Sequence, residues 1–165
     1  MKNVFYYDTA IGIVGIAEEN DFITDVFFEK GACESKFSLY ETPLLKEASK
    51  QINEFLNGKR MKFELPLMPI GTHFQQKVWA ALEEIPYGET RSYKDIAIAV
   101  GNEKGARAIG MANNRNPISI IIPCHRVIGS NGKLVGYGGG LKIKEYLLNL
   151  ENQFKKIIIK NNYKK

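Results

Sequence analysis

The spacing of apolar residues changes period near residues 68–71, and this change constrains the fold more than any figure of composition does. Before it, Val4–Tyr7, Ile11–Ala17 and Phe22–Phe28 are β-branched and aromatic runs. They are separated by Asp8-Thr9-Ala10 and Glu19-Asn20-Asp21, the pattern of a small antiparallel meander. Thr42-Pro43 then opens a helix, with Leu44, Leu45, Ala48, Ile52, Phe55 and Leu56 at helical spacing and Asn57-Gly58 as its stop. Met61–Leu67 reads as one more strand before Pro66 and Pro69 punctuate the passage. Beyond it the elements are short helices. Thr72–Ile85 carries Phe74, Val78, Trp79 and Leu82 on one side, and Ser92 caps a second helix that Gly101 ends. Lys104–Asn114 is a third, and Leu141–Leu150 is a last amphipathic helix. Ile118–Ile122 reads as a buried extended segment leading into Pro123, and Asn131-Gly132 as a tight turn. The fold class is therefore α+β. A sheet-plus-helix domain over 1–70 precedes a mostly helical domain over 71–152, and 153–165 form a basic tail.

Charge is divided as unevenly as the secondary structure. Residues 1–103 hold 11 Lys/Arg against 16 Asp/Glu, whereas 104–165 hold 12 against 2, so the net +5 hides a −5 and a +10. Lys104–Lys144 contains seven cations and no carboxylate, which points to a polyanionic partner for the C-terminal half. The five lysines after Asn152 read more simply as a solubilising tail. No run approaches the roughly 18 apolar residues of a membrane span, and the N-terminus has no secretion core or cleavage site. Two cysteines, Cys33 and Cys124, are too few for a disulfide framework, and a reducing cytoplasm is the expected setting.

Ser92–Gly101 followed by Lys104–Asn114 has the size and spacing of a helix-turn-helix. Its second helix carries Arg107 among Gly105, Ala106, Ala108, Gly110 and Ala112, with Arg115 just beyond. Small side chains let a helix lie deep in a groove, while arginine reaches phosphates or fills a base stack. The stronger signal is Ile121-Ile122-Pro123-Cys124-His125-Arg126-Val127. A cysteine held between a buried run and a His-Arg pair sits near positive charge, which lowers the thiol pKa and yields the nucleophilic thiolate. Cys33 has no such neighbours and reads as a small buried hydrophobe. Two Cys and two His (His73, His125), widely scattered, lack zinc-ligand spacing. Gly136-Tyr137-Gly138-Gly139-Gly140 matches no dinucleotide fingerprint and reads as a mobile loop beside a site.

Pro123-Cys124-His125-Arg126-Val127 resembles the active-site signature of the O6-alkylguanine-DNA alkyltransferases, the methylated-DNA–protein-cysteine methyltransferases. The likeness extends to Pro86-Tyr87-Gly88-Glu89-Thr90 with Ser92-Tyr93, to Ala106-Arg107-Ala108-Ile109-Gly110, to Asn116-Pro117, and to Gly138-Gly139-Gly140-Leu141 through Lys144-Glu145 to Leu147-Leu148. It covers residues 72–151 closely and the first 60 or so in outline. The resemblance implies an RNase H-like N-terminal domain and a winged-helix-like C-terminal one. It also implies direct-reversal DNA repair: a single-use protein that flips O6-alkylguanine out of duplex DNA and keeps the alkyl group on Cys124, with acceptance of O4-alkylthymine depending on pocket size. It assigns Cys124 as acceptor and His125 and Glu151 as a relay through a water. Tyr93 becomes a donor to guanine N3 or to the target phosphate, and Asn116 a brace beside the backbone around Val127. Arg107, with Ala106, Tyr93, Arg115 and Arg126, is placed against DNA in the minor groove, Arg107 entering the stack. Val127, Tyr137, Gly138 and Gly139 would wall the pocket, the carbonyls of Val127 and Cys124 accepting from the guanine amine. Many relatives carry Ser where Gly138 stands, so a backbone N–H takes over that donor role here. No cofactor or metal is implied, and the protein is expected to act as a monomer. The rival readings are a helix-turn-helix binding module without chemistry, a Cys-His-Glu thiol hydrolase, and a lesion-recognition protein.

Overall fold

A computed structural model of the protein describes residues 1–28 and 36–163, so Cys33 lies outside the described residues. The N-terminal runs form β1 (Lys2–Thr9), β2 (Gly12–Glu19) and β3 (Phe22–Phe27), paired as an antiparallel meander. Asn20 and Asp21 both take positive φ, 52° and 66°, the two-residue hairpin geometry that follows the twist of the flanking strands. β4 (Phe37–Leu39) adds to β1 in parallel, giving the order β3-β2-β1-β4. α1 (Pro43–Leu56) covers one face of this sheet. Thr42 caps it by accepting the Leu45 N–H, and Leu45, Ala48, Ile52 and Phe55 are buried in one core with Val14 and Ile16 of β2.

The strand expected over Met61–Leu67 does not form. Only Leu67 makes a bridge, to Ile23, flanked by Ile23 N–H to the Pro66 carbonyl and Met68 N–H to the Ile23 carbonyl, both 2.8 Å. The backbone upstream is satisfied by side chains instead. The Gln51 amide takes the Glu64 carbonyl and N–H, at 3.2 and 2.9 Å, and Arg60 takes the Lys62 carbonyl at 2.9 Å. These side-chain bonds, and the N–H that Pro66 lacks, take the place of a regular ladder along the run.

The second part begins with α2 (His73–Glu83), where Thr72 and Gln75 form a reciprocal capping box. β5 (Arg91–Ser92) leads into α3 (Tyr93–Ala99), capped by Ser92 with Asp95, and then α4 (Ala106–Asn114). These three helices pack on one another, and the Trp79 indole donates to the Ala112 carbonyl at 2.9 Å within the core. Ile118–Ile122 is buried as expected but is turned, not extended. Ile122 N–H closes on the Ile118 carbonyl at 3.0 Å, and Ile120 adopts φ 73°, a strained conformation for a β-branched residue. Ile118 also bridges Val26 of β3, which ties the sheet directly to the segment carrying Cys124. After β6 (Val127–Ile128), parallel to β5, α5 spans Leu141–Tyr163. Of the residues expected as a separate tail after Asn152, 153–163 continue this helix. No described helix is long and apolar enough to cross a membrane.

Candidate active site

Cys124 sits where the strained turn ends. Its N–H donates to the Ile122 carbonyl at 2.8 Å, and Cys124–Arg126 then form one turn of 3-10 helix closed by Arg126 N–H on the Pro123 carbonyl, 3.0 Å. That turn points His125 and Arg126 into the protein, where they meet Glu151 of α5. His125 is fully buried and Glu151 is 1% exposed. The His125 Nε2 is hydrogen-bonded to Glu151 Oε2, the Arg126 Nε donates to Oε1 at 2.8 Å, and the Gly88 N–H also donates to Oε1 at 2.8 Å. Arg126 Nη1 donates to the Ile85 carbonyl at 2.7 Å, and its guanidinium lies 5.7 Å from the centre of the Tyr87 ring. Burial raises the Glu151 carboxyl, but His125, Arg126 and the Gly88 N–H together carry it below its ordinary value and keep it ionised. Burial keeps His125 neutral, against the pull of Glu151, with Arg126 and Lys144 adding to the effect of burial. With Nε2 tied to the carboxylate, Nδ1 is the ring atom left without a protein partner.

The thiol itself departs from the sequence expectation. Burial pushes Cys124, 4% exposed, from its ordinary 9.0 up to about 11, against the Asn116 amide and the charge of Lys144, which pull it down. His125 and Arg126 do not supply the activating charge, because one is neutral and the other is paired with Glu151. The resting sulfur is a neutral thiol. Lys144, fully buried, is the cation that faces it. Asn116 does brace the turn, although its partners are the Ile122 carbonyl (2.8 Å) and the Ile118 N–H (3.0 Å) and not the backbone around Val127. The Cys124 carbonyl already accepts the Val127 N–H and the Asn113 amide, the latter at 3.4 Å.

Facing the cysteine is the glycine-rich loop. The Val135 carbonyl accepts the Tyr93 hydroxyl at 2.7 Å and the Lys144 ammonium at 2.9 Å, and Lys144 also reaches the Gly136 carbonyl at 3.3 Å. Gly136 takes φ 58° against the side chain of Asn114, at the end of α4. A Cβ at Gly139 would lie 2.8 Å from the Phe28 ring, whereas one at Gly138 would meet nothing within 4 Å. Tyr137 packs on Phe28 with ring centres 5.8 Å apart, and its hydroxyl is buried without a partner. Burial, with the nearby Cys124, raises Tyr137 well above its ordinary value and raises Tyr93 in the same sense. Tyr93, Asn116 and Tyr137 thus come close to Cys124, whereas Gly138 lines a cavity with Asn116 and Phe28, Gly139 packs on Phe28, and Val127 is buried.

On α4, Ala106 and Arg107 are exposed, as is Arg115 just past its end. Arg126 is not among them. At 8% exposure, with its guanidinium on Glu151 and Ile85, it cannot reach DNA, and the DNA-contacting role expected of it is corrected to a structural one. Sequence reasoning did not single out Lys144 and Asn113, and it gave Gly88 no role of its own. Lys144 had a signal, since it lies three and seven residues before Leu147 and Glu151 on the buried face of α5.

Two family models account for nearly the whole chain. Residues 73–153 match the 6-O-methylguanine DNA methyltransferase DNA-binding domain, and residues 4–69 match the ribonuclease-like domain of the same proteins. The chain belongs to the 6-O-methylguanine DNA methyltransferase family. The methylated-DNA–protein-cysteine methyltransferase of Methanosarcina acetivorans is 50% identical over 148 residues, covering 88% of this chain and 95% of that one. The constitutive enzyme of Bacillus subtilis is 51% identical over 156 residues, covering 88% and 94%. Among solved structures, the Mycobacterium tuberculosis OGT in complex with DNA superposes with a TM-score of 0.87 at 41% identity, covering 92% of this methyltransferase-family chain and 94% of that one.

Proposed function

We propose that this protein repairs O6-alkylguanine in duplex DNA by taking the alkyl group onto the Cys124 sulfur, once per molecule. The observation that carries the reading is the placement of Cys124. It stands on a strained turn beside a neutral, buried histidine whose far nitrogen is fixed on an ionised carboxylate. His125 takes the thiol proton at Nδ1 through a bridging water, and Glu151 stabilises the imidazolium that forms. The sulfur attacks the alkyl carbon, the bond from that carbon to O6 breaks, and guanine departs with the electron pair and is then protonated. The thioether product has no leaving group that a thiol or base in the site can displace, so the protein is consumed.

The base reaches the sulfur by flipping. The exposed, small-residue surface of α4 supports entry into the minor groove. Arg107, one residue inside the helix, suits the finger that fills the gap, offsetting part of the few kcal/mol that extrusion costs. Tyr93 hydrogen-bonds the Val135 carbonyl in the resting protein, and transfer of that hydroxyl to guanine N3 leaves Lys144 holding the loop. The Val127 carbonyl accepts from the guanine amine, and the open space at Gly138 leaves its backbone N–H available to O6. A single copy carries the whole set of groups, consistent with action as a monomer.

The test is transfer of labelled methyl from an O6-methylguanine duplex, followed by peptide mapping. One methyl per chain on Cys124, absent from Cys124→Ala, is expected. Tight DNA binding with no adduct would favour a non-catalytic binding module instead.

A further inference from the structure

The lysine-rich extension of α5 has a use beyond solubility. We propose that Lys155 is a positioning residue for the relay, acting through the Gly88 peptide to hold the Glu151 carboxylate toward His125; this rests on the reaction proposed above. Gly88 is the third residue of a turn closed by Glu89 N–H on the Pro86 carbonyl at 3.1 Å, and its φ of 80° is one that glycine adopts without strain. Its two polar atoms face opposite ways along α5. The N–H donates to Glu151 Oε1 at 2.8 Å, and the carbonyl accepts from the Lys155 ammonium at 3.3 Å. Lys155 lies one helical turn beyond Glu151, so one helix holds the two peptide units that meet at Gly88, one by its N–H and the other by its carbonyl.

The lysine stem adds to this grip. A Cβ at Gly88 would lie 2.6 Å from Lys155 Cδ and 3.2 Å from its Cβ and Cγ, so the stem covers the glycine face that a side chain would fill. On its other side the turn is anchored by Tyr87, whose ring packs on Phe55 and beneath the Arg126 guanidinium. A cavity of about 240 Å³ borders it, lined by Gly88, Glu89, Thr90, Glu151 and Asn152 among others. The neighbouring residue, Phe154, fills the space beside Gly58, where a Cβ would run into its ring. The first turn of the extension therefore ties the end of α1 and the Gly88 turn to the helix that carries Glu151.

The ionisable groups facing the relay are Arg126 from the 3-10 turn, Lys144 from α5, Tyr87 from the loop after α2, and Cys124 itself, while α1 presents the Phe55 ring to His125. Loosening the Gly88 peptide leaves these in place and weakens only the orientation of the carboxylate. The consequence is a pH-dependent defect. Near neutrality the thiol needs His125 as base, whereas at alkaline pH it ionises unaided.

The experiment measures single-turnover methyl transfer to wild type, Lys155→Met and Lys155→Arg from neutral pH upward, alongside thermal unfolding. Lys155→Met keeps the stem and loses the ammonium. It is expected to slow transfer roughly three- to tenfold at neutral pH, the usual range for one lost hydrogen bond, with the deficit closing as pH rises and Lys155→Arg restoring the rate. A Lys155→Met rate equal to wild type, or a deficit constant with pH that follows thermal stability, overturns the positioning role. Failure of the wild type to accept methyl overturns the proposed reaction itself, and the two failures are thereby told apart.

Discussion

The relay and the loop stand on opposite sides of one sulfur and are built in opposite ways. On the relay side, Glu151 accepts from His125, Arg126 and Gly88 with nothing exposed, an ionic cluster that has one arrangement. On the loop side, Lys133–Gly140 contains no regular element, and side chains from scattered places contact it, among them Tyr93, Lys144, Asn114 and Phe28. Proton transfer needs geometry fixed in advance, while a flipped base needs a wall that gives way and then closes. The difference also explains why the thiol rests neutral. The rigid side places a cation without a carboxylate partner, Lys144, where it also holds the loop, so burial decides the protonation state of Cys124 until substrate arrives.

The largest predicted effect breaks the rigid side. Glu151→Ala leaves Arg126 buried without its anion and is expected to cost about 3–5 kcal/mol in urea unfolding, with transfer reduced roughly a hundredfold or more. A loss under about 1 kcal/mol would show that the cluster is not a unit. Lys144→Met separates the two sides. Replacing a buried ion with an apolar isostere leaves stability within about 1 kcal/mol, while transfer falls roughly tenfold as the loop loses its anchor. Gly139→Ala forces a methyl against Phe28 and should cost about 1–3 kcal/mol, whereas Gly138→Ser enters open space and should change stability by no more than about 0.5 kcal/mol. Equal effects at the two positions would contradict the loop packing described.

Three smaller effects sharpen the comparison. The neutral thiol contributes stability that is fully present below its unfolded value of 9.0 and is lost as pH rises through about 11, a fall that Cys124→Ser should flatten in urea titrations. His125, with its folded value depressed by burial, acts as the opposite case: it remains an unprotonated base below 6.5, and the acid limb of the transfer rate should lie under that value. Arg107→Ala, at an exposed position on α4, should impair repair in duplex more than in single-stranded substrate; equal impairment would remove its finger role.

Much of this was legible in the chain. Thr42, Thr72 and Ser92 announce their helices because a cap is a local event, with donor and acceptor within three residues. Ile118–Ile122 was not legible in the same way, because five apolar residues carry no period. The turn they adopt is fixed by Asn116 gripping both ends and by a positive φ at Ile120 that no isoleucine advertises. Cys124, His125 and Arg126 stood out as a motif, yet the direction of the thiol shift was missed, since sequence adjacency to Arg126 said nothing of its partner on α5. Glu151 followed from family resemblance and not from spacing. Two charges on the buried face of an amphipathic helix, Lys144 and Glu151, would have marked both residues.

The central claim is that Cys124 is a buried neutral thiol activated in place by His125. Its most direct test is a titration of the Cys124 thiolate absorbance in the free protein, taken as a difference from Cys124→Ser. The account predicts no ionisation at neutral pH and a midpoint near 11. A thiolate already present at neutral pH would contradict it, and would return the activating role to standing positive charge beside the sulfur.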